Sequence, residues 1–158
     1  MRFQKILVSV TRNFGLAGNP GYAGAWEFAQ LAVEGLAVLG KRREAHALYP
    51  LLVQLMQMRV GGFAVGLVAT SAGIAAACGG DWDRAEQHYE TALRQAHEIP
   101  HKLAQPEVRR WYEQMLIDRN VPGDRDRART LLGEAIEMYR QIGMPKHLEM
   151  AEALLRAT

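Results

Sequence analysis

Cysteine is nearly absent: Cys78 is the only one in 158 residues. That excludes an internal disulfide and any cysteine-based metal cluster, and it points to a reducing cytoplasm. An excess of one charge is lacking too. The 19 basic and 17 acidic residues leave a formal net charge of +2, with arginine and glutamate alternating along the chain. Without a uniformly cationic tract, nucleic acid is not an expected partner. Sustained period-two alternation flanked by hairpin turn signals is missing, which speaks against a sheet. The start, MRFQKILVSVTRNFG, has too short an apolar run for a signal peptide. One stretch, residues 60–80, carries no charge over 21 residues, but six of them are glycine and most others are Ala, Ser or Thr. Leu, Ile, Phe and Val drive membrane insertion and are scarce there, so a buried helix is expected and a membrane is not.

What is present is helical periodicity. Ala128, Leu131, Leu132, Ala135, Ile136, Tyr139 and Ile142 form one apolar stripe, and Ala85, Tyr89, Ala92, Leu93 and Ala96 form another. Helices are expected over 21–39, 41–58, 63–79, 82–97, 102–119, 124–142 and 145–157, with Pro50 a kink or break in the second. Residues 1–14 read as a further helix.

Three stretches then repeat one pattern. GKRREAHALYPLLV, GDWDRAEQHYETAL and GDRDRARTLLGEAI begin at Gly40, Gly80 and Gly123, spaced by 40 and then 43 residues. Each glycine is followed five residues later by alanine (Ala45, Ala85, Ala128) and four after that by Tyr49, Tyr89 or Leu132. Repeats of this length containing two helices are the signature of an α-solenoid. Glycine makes the turn, the small alanine lets two helices approach, and the large residue fills the space one turn on.

GDWDRAEQHYETAL resembles the second helix of a tetratricopeptide repeat at Gly80, Asp81, Asp83, Ala85, Tyr89, Ala92 and Leu93, and Gly73 sits where its first helix carries glycine. The segment from Pro100 through the final helix is similar to the C-terminal helical-repeat region of large bacterial signalling proteins. In those proteins a nucleotide cyclase or kinase domain and an AAA-type ATPase domain precede the repeats. The likeness spans residues 20–158. It departs in its repeats, longer than the usual 34 or so residues, and in Pro50, and no cyclase, kinase or ATPase motif accompanies it. It implies an all-α solenoid of about three and a half antiparallel helix pairs over 20–158, preceded by an N-terminal segment, 1–19. It also implies a non-catalytic scaffold or regulatory module with a protein or peptide partner.

Two motifs compete with that reading. HEIPH, residues 97–101, matches the H-E-x-x-H zinc pattern, in which His97 and His101 would hold the metal and Glu98 act as base. The ligands must share one helical face, and Pro100 between them should end the helix near His97. A zinc hydrolase is therefore the weaker alternative; a small-molecule sensor is another, and no cofactor is expected. GLAGNPGYAG, residues 15–24, lacks the lysine and hydroxyl of a phosphate-binding loop. Cys78 reads as a small apolar filler and Trp26, Trp82 and Trp111 as packing residues.

Two surfaces remain. The resemblance implies a concave groove lined by first helices of each pair, which places Glu27, Gln30, Glu34, Thr70, Arg110 and Glu113 along it. At the N-terminal end Phe3, Ile6, Leu7, Val10 and Phe14 leave more apolar surface than one neighbouring helix covers, so a homodimer through residues 1–14 and the adjoining helix is expected, or cover of the same surface by an upstream domain of a longer protein.

Overall fold

The computed structural model describes residues 23–58, 62–63, 66–99 and 101–157. They form eight helices and one short hairpin. In order these are α1 (Ala23–Val38), α2 (Arg42–His46), α3 (Tyr49–Gln57), β1 (Gly62–Phe63), β2 (Gly66–Leu67), α4 (Val68–Cys78), α5 (Trp82–Glu98), α6 (Ala104–Arg119), α7 (Asp124–Ile142) and α8 (Pro145–Ala157). The architecture is all-α. No described helix is long and apolar enough to cross a membrane.

The local chemistry of the chain sets the boundaries. At the head of α5, Asp81 caps the helix by accepting the Arg84 backbone N–H at 3.3 Å. Gly40, Gly80 and Gly123, which precede α2, α5 and α7, adopt left-handed φ values of +68°, +77° and +91°. A side chain there would be strained, which explains the recurring glycine. The alanines that follow, Ala45, Ala85 and Ala128, are completely buried.

Two expected elements differ. The helix expected over 41–58 is broken into α2 and α3, because Pro50 sits in the first turn of α3, where its missing N–H does no harm. The helix expected from residue 63 begins only at Val68. Before it, β1 and β2 pair antiparallel, Gly62 opposite Leu67 and Phe63 opposite Gly66. The expectation of no sheet is corrected to this two-residue ladder, too short to show alternation.

Helix α4 is the hub. It packs against α1, α2, α3, α5 and α6, and every residue from Val68 to Ala77 is buried. Only small side chains allow so many neighbours: a Cβ added at Gly73 would stand 3.0 Å from the Tyr89 ring of α5. Tyr89 in turn stacks on Tyr112 of α6, with centroids 5.1 Å apart. A second apolar cluster, centred on Leu132, Ile136, Tyr139 and Ala151, joins α7 to α8.

Charged groups tie α5, α6 and α7 together outside the core. Arg119 reaches Glu86 at 2.7 Å and grips both oxygens of the buried Asp124 at 2.7 and 2.9 Å. The Tyr112 hydroxyl lies 2.8 Å from Glu86 and 2.9 Å from Glu90, and Arg127 pairs with both carboxylates.

Candidate functional site

The groove residues expected from the sequence divide. Glu27 of α1 is exposed, as a groove residue should be. Gln30, Thr70 and Glu113 are not on an open face: each is buried, at 2%, 5% and 2% exposure. Their placement on an open groove is corrected to the interior, because α4, which carries Thr70, packs against both α1, which carries Gln30, and α6, which carries Glu113. Glu34 of α1 is only partly covered and Arg110 of α6 is partly buried. Phe3, Ile6, Leu7, Val10 and Phe14 lie outside the described residues.

Glu34 and Thr70 meet in a cavity of about 250 Å³ between α1, α4, α6 and the start of α8. His101, Glu107, Trp111 and His147 join them on its wall, with Leu67, Leu103 and Met144 supplying apolar surface. Glu107 is held on several sides. Arg110 donates to its Oε2 from Nη2 at 2.7 Å and from Nε at 3.3 Å. The Tyr139 hydroxyl donates to Oε1 at 2.5 Å, and the His147 Nε2 stands 3.8 Å from the same oxygen.

These surroundings shift proton affinities. Burial, then the nearby Glu107 charge, pushes the Glu34 carboxyl up to about 7, with Arg110 only partly offsetting them. Burial and the same Glu107 carboxylate raise the Tyr139 hydroxyl, which stays protonated and donating. Arg110 stacks over the Trp111 ring at 4.7 Å. Perturbed titrating groups beside a small, partly apolar cavity are what a ligand site requires.

A second cavity of about 320 Å³ lies near Arg42, Cys78 and Asp118. Its charges are already matched, Arg42 meeting Asp118 at 2.5 Å, and burial pushes the Cys78 thiol up, away from the reactive thiolate.

The H-E-x-x-H residues do not share a helical face. Helix α5 ends at Glu98, and His101 lies beyond it, its Nδ1 accepting the Ala104 backbone N–H at 3.1 Å. Two further groups escaped sequence reasoning. Glu107 and His147 come from α6 and α8 and meet directly as well as through their shared contact with Tyr139; Tyr139 itself reads as an ordinary stripe residue.

No family model matches the chain, and no curated protein or solved structure matches it significantly.

Proposed function

We propose that this chain is a tetratricopeptide-like interaction module that binds a protein partner and performs no catalysis. In this reading its helices form an α-solenoid of about three and a half antiparallel units. It serves as the regulatory or scaffold part of a bacterial signalling protein of the ATPase or cyclase type, in the cytoplasm. The recurrence of a left-handed glycine, a fully buried alanine and a large residue at Gly40, Gly80 and Gly123 supports the repeat reading.

One observation carries the binding function. Leu31, Val38 and Leu39 are 54%, 74% and 66% exposed, an apolar flank at the α1 end of the array. An apolar surface that the described residues leave open at a solenoid end, where internal units would be covered by a neighbour, is a partner site. The partner expected is a second copy of the chain. Light scattering across a concentration series, on the full chain and on a Leu31→Glu/Val38→Glu variant, tests this. The parent should move from monomer to dimer while the variant stays monomeric with an unchanged helical spectrum. A parent that remains monomeric at its highest soluble concentration excludes self-association. Removing residues 1–14 in a parallel sample shows whether they contribute to the same interface.

A further inference from the structure

Thr70, Ser71 and Gln95 each carry a buried side-chain oxygen left without a partner among the described residues, and of these three only Thr70 lines the Glu34 cavity. Thr70 is 5% exposed, and the unpartnered atom is its Oγ1. A buried hydroxyl left unpaired costs on the order of 1–3 kcal/mol, so such groups are normally satisfied by a partner. Glu34 shares the cavity. Arg110, whose charge partly offsets the burial of Glu34, donates to Glu107 from two of its nitrogens, Nη2 and Nε.

The character of the occupant follows from what the wall offers. An anion would meet two carboxylates, with Arg110 committed elsewhere. A hard divalent cation wants several oxygen ligands, and among the described residues no three His, Cys, Asp or Glu side chains are grouped to hold one. A monovalent organic cation fits: one carboxylate to balance its charge, one hydroxyl oxygen to accept an N–H, and an apolar wall for a short stem. The volume of about 250 Å³ lies below the roughly 300 Å³ at which drug-sized sites begin, so the ligand is small.

We propose that this cavity binds a small free primary amine in its protonated form. The ammonium sits between the Glu34 carboxylate and the Thr70 hydroxyl, and its alkyl stem lies along Trp111, Leu103 and Met144. The site adjoins the partner surface, since Glu34 stands one turn from both Leu31 and Val38 on α1, and it adds ligand sensing to a module otherwise read as a scaffold. Because the Glu34 carboxyl titrates at about 7, the empty site is partly protonated at neutral pH, and an arriving ammonium must displace that proton. Binding therefore weakens as pH falls through that range. The titratable or charged groups around Glu34 are Glu107 and Arg110 of α6, His101 just before α6, His147 of α8 and Tyr89 of α5.

The experiment is a titration of the isotope-labelled full chain with n-butylamine at pH 8, following the Trp111 indole N–H and the Thr70 and Leu103 amides by NMR. Saturable shifts at all three are expected, with n-butanol and butyrate giving none. Glu34→Gln should weaken binding by about tenfold or more, and Thr70→Val by severalfold, in spectra that keep the parent's dispersion. Nα-acetyl-lysine amide offers the same head on a peptide-like body and should bind less tightly than n-butylamine. The proposal fails if n-butylamine gives no saturable shift, if n-butanol shifts the same signals equally, or if Glu34→Gln binds as the parent does. Tighter binding of the blocked lysine would overturn the assignment to a free amine.

Discussion

At Glu34 the surroundings of a single residue make charge expensive. Its folded value of about 7 lies above the usual 4.5, so between those two values the folded chain keeps a proton that the unfolded chain has released. Stability therefore falls as pH rises through that window. Glu34→Gln removes the effect, and denaturant titrations should show about 1–2 kcal/mol of added stability at pH 8, discounted for partial exposure, and none at pH 4. Equal gains at both values would place the cause elsewhere. Two glycines make a sharper contrast. In the interior of a helix, alanine normally gains about 0.5–1 kcal/mol over glycine. Gly133 of α7 has open space around it, so Gly133→Ala should be stabilising by that amount. Gly73 of α4 does not, since the new Cβ would press on the buried Tyr89 ring at 3.0 Å. Overpacking of about 1–3 kcal/mol outweighs the propensity gain, and Gly73→Ala should lower the melting midpoint.

Between elements, Ala85 and Ala128 are completely buried on α5 and α7. Ala85→Leu and Ala128→Leu each insert extra carbons where α5 or α7 meets its neighbours, and each should cost about 1–3 kcal/mol in denaturant unfolding. Unchanged midpoints in both would mean that these positions are not helix contacts. The same elements show how much the sequence discloses. The stripes of α5 and α7 are legible because a one-sided core imposes a 3.6-residue period: Ala85, Tyr89, Ala92 and Ala96 are buried, as are Ala128, Leu131, Leu132 and Ala135. Helix α4 has neighbours on several sides and no polar face, so its period vanishes and glycine alone marks its late start. The β1–β2 ladder is two residues long on each strand and leaves no pattern to read.

For the molecule as a whole, position along the chain conceals what folding assembles. The amine cavity draws Glu34, Thr70, Glu107 and His147 from four helices, and Glu34 and His147 stand 113 residues apart. Glu34, Thr70 and Arg110 enter the sequence reading as polar positions on the groove that the resemblance implies, but that reading takes polarity for exposure and so misplaces Gln30, Thr70 and Glu113 at the surface. Their burial depends on how α1, α4 and α6 converge, which the periodicity of any one helix does not contain.

The hub position of α4 also has a consequence in time. Its last cover, α6, is complete only at Arg119, 41 residues after Cys78. At about 5–20 residues per second, synthesis leaves that interval open for roughly 2–8 s. By then α1, α2 and α3 are already made and α5 is complete at Glu98, so the part of α4 that waits longest for its cover is the part that meets α6. Slower translation would lengthen the wait before the Tyr89–Tyr112 stack can form.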